Sequence, residues 1–443
     1  MRDVIVTLIV FGLLPYVFKR PYLGALMWIW ISVMNPHSQG WGFARSFPFA
    51  AIIAAATILS LVVSKEKKGL PRSPVTWIFI SFVVWMMITS MFAFNFDQIG
   101  KPLTKVLKIM GMTLVVMMIL KERRHLHLAI WTIVFSIGYY GVKGGIFSIR
   151  TGGNARVWGP EGTFIEGNNE MALALVMVIP LMYYLLKTTQ TNRWGRYAFH
   201  ASMILCALAS LTSYSRGALL AIGAMAVFLW LKSKEKIRLG LVMALAIPPM
   251  LMFMPQQWYS RMETIQDYKA DESAMGRVNA WHMAFNLAKD RFFGGGFEIY
   301  NPMVFKLYAP VPEDIHAAHS IYFQIMGEHG FVGLLLYLLL GFFTWRSGSW
   351  IVKHTAGRPD MKWANDMATM IQVSLLGFMV GGAFLSLAYF DVPYYLMAVM
   401  VALRILIGQE LQQTLPSGAV KPAVAEPPRH AVAGNRRDFN AIK

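Results

Sequence analysis

Eleven apolar runs, at about 47–63, 74–94, 102–120, 126–146, 168–186, 197–213, 217–231, 239–254, 330–345, 367–387 and 391–407, recur along this 443-residue sequence and take up nearly half of it. Each is long enough to cross, or nearly cross, ~30 Å of hydrocarbon. An ordinary soluble domain carries about 25% charged residues. Here 14% are charged and 56% hydrophobic, with mean hydropathy +0.47, which excludes a water-facing globule. The chain reads as an all-α polytopic membrane protein. The single cysteine, Cys206, excludes an internal disulfide framework, a thiolate zinc site and an iron–sulfur cluster.

Lys plus Arg outnumber Asp plus Glu by 41 to 23, a formal charge of +18. The basic residues cluster at the ends of apolar runs, where they orient helices, and so do not imply a nucleic-acid partner. Lys65 to Arg72, Lys121 to Arg124, Lys187 to Arg196, Lys232 to Arg238 and Arg346 to Lys362 make every second connection basic. The positive-inside rule reads these as cytoplasmic. The run Val4 to Phe18 is followed by Lys19-Arg20-Pro21 in place of a small-residue cleavage site, so it reads as retained. Taken with 22–34 as one broken or re-entrant element, it brings the expectation to about twelve transmembrane helices with both ends inside. An outside N-terminus with thirteen crossings is the alternative.

On that topology one large outer loop, partly helical, falls between the tenth and eleventh helices. The expected divisions are an N-terminal transmembrane bundle over 1–254, a loop domain over 255–329, C-terminal transmembrane helices over 330–408 and a disordered cytoplasmic tail over 409–443. The tail is rich in Pro, Ala and Val and lacks periodicity.

Arg150, Arg156, Arg216, Arg261, Arg277 and Arg291 fall on the expected outer side, where the positive-inside rule disfavours them. Either they pair with outer-side acids such as Glu161, Glu166, Asp267, Asp271 and Glu298, or they bind a polyanion, since a guanidinium forks bidentately onto phosphate. Arg216 sits in Ser213-Tyr214-Ser215-Arg216-Gly217, between two apolar runs with almost no loop. Its position at the start of a helix favours an anion, although snorkelling also accounts for it. Arg277 opens an amphipathic helix predicted over Ser273 to Lys289, sharing a face with Trp281, Ala284, Phe285 and Ala288. An arginine leading an apolar face needs an anion or a carboxylate.

His37, His282, His316, His319 and His329 fall on or near the same side, and a histidine there is a candidate general base or a hydrogen-bonded structural residue. A cation held by His316 and His319 with Glu313 and Asp314 is conceivable, but neither His-Glu-x-x-His nor Asp-x-Asp occurs in the sequence. Gly294-Gly295-Gly296 lacks the Lys-Ser/Thr of a P-loop. No cofactor is expected.

In order along the chain come Gly162-Thr163-Phe164 with Asn168-Asn169, Ser215-Arg216-Gly217-Ala218, Arg277-x-x-x-Trp281, Gly294-Gly295-Gly296-Phe297, and His319-Ser320-x-Tyr322-Phe323 leading to Gly330-Phe331-x-Gly333. This series resembles the O-antigen ligase and O-antigen polymerase superfamily of bacterial envelope glycosyltransferases. The opening Met1-Arg2-Asp3 to Pro36-His37, with Trp41-Gly42-Phe43-Ala44, is similar to a ligase subgroup associated with exopolysaccharide and protein-sorting systems. The sequence departs from the common pattern at Gly167-Asn168-Asn169 and at Ser320, which leaves the acceptor open.

The resemblance implies a metal-independent, inverting transfer of a glycan from undecaprenyl pyrophosphate to an acceptor hydroxyl on the periplasmic face of the bacterial inner membrane. In a ligase the acceptor is lipid A-core oligosaccharide. Carried onto this sequence, Arg216 and Arg277 stabilise the leaving pyrophosphate and His319 acts as base, with Arg156, Ser215, Trp281 and Asn168 contributing to substrate binding. Trp158, Tyr300 and Tyr308 are further candidates for stacking on sugars. A polymerase or a protein O-oligosaccharyltransferase would use the same donor, and a lipid-linked oligosaccharide transporter would also need outer-side cations.

Overall fold

The computed structural model describes residues 2–65, 68–232, 235–263 and 272–413, all helix and connection with no strand among them. In chain order the α-helices are α1 (Arg2–Lys19), α2 (Pro21–Met34), α3 (Phe49–Val63), α4 (Pro74–Ser90), α5 (Gly100–Ile119), α6 (Arg123–Arg150), α7 (Asn168–Thr188) and α8 (Arg193–Leu211). They continue as α9 (Arg216–Lys232), α10 (Lys236–Met252), α11 (Gln256–Glu263), α12 (Glu272–Asp290), α13 (Pro302–Tyr308), α14 (Ile321–Thr355), α15 (Lys362–Gly381) and α16 (Asp391–Gln413).

The expectation of about twelve spans, with a large loop between the tenth and eleventh, is not met. Among the described residues six helices are long and apolar enough to cross a membrane: α5, α6, α7, α14, α15 extended to Phe384, and α16. For three of the apolar runs the physical reason is length, whereas α1 and α8, with 18 and 19 residues, are long enough and are not among the six. Apolar runs read from sequence count hydrophobic residues, whereas a helix spans only about 1.5 Å per residue. The apolar helices α2, α3 and α4 have 14, 15 and 17 residues, short of the roughly 20 that ~30 Å of hydrocarbon requires. At Arg20 the backbone leaves the helical region (φ −143°, ψ 89°) and Pro21 opens α2, so the first two runs are separate helices. Pro248 and Pro249 lie inside α10, which opens with Lys236 and Arg238. The tail expected to be disordered lies, from residue 414 onward, outside the described residues.

The core centres on α7 and α16, whose side chains are buried along most of their length. Helix α7 packs between α15, α8, α6 and α9, while α16 packs against α5, α14, α15 and α6. Helix α14 begins nine residues before the apolar run suggested, and it is kinked at Gly330 (φ 69°). The kink explains the Gly294-Gly295-Gly296 turn. Gly295 N donates to the Gly327 carbonyl at 2.9 Å and Gly296 N to the Glu328 carbonyl at 2.8 Å. Trp85 Nε1 donates to the His329 carbonyl at 2.8 Å. Buried carbonyls at a kink need such partners, and a Cβ at Gly294 or Gly330 would collide with the facing backbone.

Candidate functional site

Three helix starts converge on the C-terminal end of α15. At the start of α9, Gly217 faces Phe384 and the Gly381 carbonyl. At the start of α14, Ile321 fills the space beside Gly382, and the Tyr322 hydroxyl donates to the Met379 carbonyl at 2.9 Å. At the start of α7, Leu173 packs on Gly381, and the Asn168 side-chain amide donates to the Ser213 carbonyl at 2.6 Å. The starts of α9, α14 and α7 therefore lie about one region, and the positive end of a helix dipole favours an anion there.

Arg216 is the first residue of α9 and is half-buried. The turn before it is fixed by its own side chains. Ser215 Oγ accepts from Ala218 N at 3.2 Å, an N-cap contact. Tyr214 sits at φ 62°, and its hydroxyl donates to the Gly153 carbonyl at 3.0 Å. The Arg156 guanidinium lies 5.6 Å from the Tyr214 ring centroid, which brings the loop before α7 onto the same turn.

Helix α12 carries Arg277 and coincides with the helix predicted over 273–289. Its buried residues are Gly276, Asn279, Ala280, Met283, Ala284, Leu287 and Ala288, so Ala284 and Ala288 of the expected face are buried while the stripe centres nearer Ala280 and Met283. Phe285 is exposed, against the edge of Phe331, and Arg277 lies at the margin of the stripe. Arg277 interacts electrostatically with Glu170 in the first turn of α7 and with His319. Glu170 was not singled out from sequence; its only signal was an acid directly after Asn168-Asn169.

The segment leading to His319 is bolted to α12. Asn279 donates to the Val311 and Asp314 carbonyls at 2.7 and 2.9 Å and accepts from Val311 N at 3.0 Å. Gly276 has no Cβ because the His316 ring occupies that space. Trp281 Nε1 donates to the Ala318 carbonyl at 2.6 Å, and its ring stacks on Phe323 with centroids 5.0 Å apart and planes 4° apart. His319 itself adopts φ 42°, a left-handed conformation that costs a non-glycine residue on the order of 1–3 kcal/mol. Its Nδ1 is buried with no hydrogen-bond partner among the described residues. Burial first, then the charges of Arg277 and His316, lower its pKa to about 4. The imidazole is thus neutral near pH 7, with its buried Nδ1 unpartnered among the described residues.

Other residues singled out from sequence are accounted for within the fold. Arg291 Nη2 donates to the Phe92 carbonyl at 2.7 Å and lies 4.0 Å from the Phe94 ring centroid. Glu161 pairs at 2.9 Å with Arg45. His329 is fully buried, with Nδ1 2.7 Å from Thr89 Oγ1 and Nε2 2.7 Å from the Tyr389 hydroxyl. His316 Nδ1 meets Asp314 Oδ1 at 2.7 Å. Tyr308 donates to Asp290 Oδ2 at 2.7 Å, whereas Trp158 is exposed. His282 is exposed on α12. Among the described residues no group of three or more His, Cys, Asp or Glu side chains gathers as a metal site. Asp267 and Asp271 lie outside the described residues, as does the side chain of Arg261.

Comparison with known proteins divides the chain in two. No curated protein matches it significantly. Residues 1–190 match a family of unknown function (DUF5935), a stretch that includes Arg156 and Asn168. Residues 201–338, which carry Ser215, Arg216, Arg277, Trp281 and His319, match the O-antigen ligase family model.

Proposed function

We propose that this chain is an O-antigen ligase: it transfers a polysaccharide from undecaprenyl pyrophosphate to a hydroxyl of lipid A-core oligosaccharide, by inversion and without metal. The reaction takes place on the periplasmic face of the inner membrane. The observation that carries the reading is the electrostatic link of His319 to Arg277 at a place where three helix starts converge, within the segment that matches the ligase family.

Inverting transfer forms a bond from the acceptor oxygen to the anomeric carbon as the bond from that carbon to the pyrophosphate oxygen breaks. The leaving group takes up negative charge, and Arg216 and Arg277 stabilise it in a setting of low dielectric. The acceptor hydroxyl loses its proton to His319. A histidine with pKa about 4 is a weak base before donor binds. Donor pyrophosphate beside Arg277 offsets the guanidinium charge and raises the imidazole pKa toward ordinary values, so the base strengthens once the donor is bound. Ser215, Asn168 and Trp281 position these groups, and Arg156, over the Tyr214 ring, supplies a third cation.

The test is incubation of purified full-length protein with undecaprenyl-pyrophosphate-linked glycan and three acceptors: lipid A-core, glycan and protein. Transfer to lipid A-core is expected. Transfer only to glycan would make the chain a polymerase, and transfer to protein an oligosaccharyltransferase. Movement of intact donor across a bilayer without transfer would make it a transporter.

A further inference from the structure

A cavity of about 440 Å³ lies apart from Arg216, Arg277 and His319, none of which lines it. Its walls come from α2, the start of α5, the loop before α7 and the start of α16. Lys101, Lys105 and Lys108 line it from α5, at the i, i+4, i+7 spacing that puts them on one helix face over about 10 Å. All three are exposed, and among the described residues none is in an ion pair. Lys105 Nζ lies 3.9 Å from the Phe164 ring centroid. Asp391, 3% exposed, is the lining carboxylate, so three cations face one anion. Glu166 also acts on Lys105 electrostatically but does not line the space, and its carboxylate accepts from Gly162 N at 2.8 Å.

Lysines are costly within a membrane-crossing helix and mark functional sites there. Helix α5 is such a helix, and Lys108 is its ninth residue. The polar lining is preorganised. Trp28 Nε1 donates to the Tyr395 hydroxyl at 2.7 Å, Ser32 Oγ lies 2.9 Å from that hydroxyl, and Asn35 Nδ2 donates to the Ser32 carbonyl at 2.6 Å. The remaining lining is mixed, with Thr104, Thr163 and Ile109.

We propose that this cavity binds the phosphate groups of a second, lipid-borne ligand. Resting on the reading of the chain as a ligase, that ligand is the acceptor, held by its phosphates while its sugar hydroxyl reaches His319. Three point-like ammonium donors suit phosphate oxygens, and the apolar lining suits a ligand arriving in the plane of the membrane. The loop between α6 and α7 joins the two places. Its Arg156 end lies on Tyr214 beside Arg216, and its Gly162-Thr163-Phe164 end walls the cavity. Every lining residue but Asp391 falls within residues 1–190, outside the segment that matches the ligase family.

Binding of phosphorylated lipid A-core, phosphatase-treated lipid A-core and inorganic phosphate to the full-length protein in phosphatidylcholine nanodiscs tests this. The parent should prefer the phosphorylated lipid by about tenfold or more, the scale of one charge-assisted hydrogen bond. A triple Lys101→Gln, Lys105→Gln, Lys108→Gln variant should lose the preference while binding undecaprenyl pyrophosphate within about twofold of the parent. The triple Arg variant, which keeps the charges, should retain it and controls for folding. A preference that survives the triple Gln change overturns the proposal. So does inorganic phosphate binding with the same lysine dependence but no preference between the two lipids. If the preference depends on the lysines while no acceptor is glycosylated, the cavity assignment stands and the ligase reading fails.

Discussion

Trp281 donates its indole N–H to the carbonyl oxygen of Ala318 at 2.6 Å, one residue before His319. That bond and the stacking of Trp281 on Phe323 hold the chain where His319 turns into φ 42°. Trp281→Phe keeps a ring for the stack and removes the donor, leaving the Ala318 carbonyl unpartnered. Loss of such a partner costs about 1–3 kcal/mol. The variant should insert normally and bind donor, with transfer reduced about tenfold or more as His319 relaxes. Transfer within about twofold of the parent would show that the bond does not position the base.

Arg216 and Arg277 separate charge from geometry. Lysine keeps the charge but loses the planar fork, so Arg216→Lys and Arg277→Lys should each reach the membrane and each lose about 1.5–3 kcal/mol per charge-assisted hydrogen bond removed. Transfer rates and donor affinity for the purified variants supply the check. Near-parent transfer by both would reduce the arginines to snorkelling side chains. Arg277→Lys also changes what faces Glu170, so thermal unfolding should accompany the measurement.

Much of the candidate site could be singled out in the sequence because its residues lie in short local strings. Ser215-Arg216-Gly217 announces a helix start, and His316 to Phe323 announces a histidine next to an apolar run. What joins them is not local. The link from Asn168 to Ser213 spans 45 residues and that from Trp281 to Ala318 spans 37, and no periodicity reveals such pairs. Glu170 stayed hidden for the same reason, since its partner Arg277 comes from another helix. His329 looked equivalent to His319 in the sequence, and only packing against Thr89 and Tyr389 makes it structural. The number of spans was overcounted in part because apolar character persists through α2, α3 and α4, where length does not suffice.

Chelation tests the source of charge stabilisation. With guanidinium groups serving the leaving pyrophosphate, transfer should persist in EDTA at the parent rate. Loss on chelation with recovery on adding Mg²⁺ or Mn²⁺ would replace the arginine account with a bridging cation.

The base assignment makes the sharpest prediction, and it rests on pH. Before donor binds, His319 has a pKa of about 4, lowered by burial and by Arg277 and His316, so it is neutral and able to accept a proton above that pH. The profile of kcat/KM, which reports the free enzyme, should fall only below about pH 4 on account of His319. Bound pyrophosphate favours the protonated imidazole, so the fall in kcat should move upward, toward the unperturbed value of about 6.5. His319→Asn is the variant of choice, because Asn tolerates the left-handed backbone that φ 42° demands but cannot serve as the base. It should fold, bind the undecaprenyl-pyrophosphate donor nearly normally and transfer about 10²- to 10⁴-fold more slowly, with the acid limb abolished. His316→Ala, His282→Ala and His329→Ala should be milder. Transfer by His319→Asn within a few-fold of the parent removes the base assignment, whereas lost donor binding with intact turnover would make His319 a ligand to the pyrophosphate.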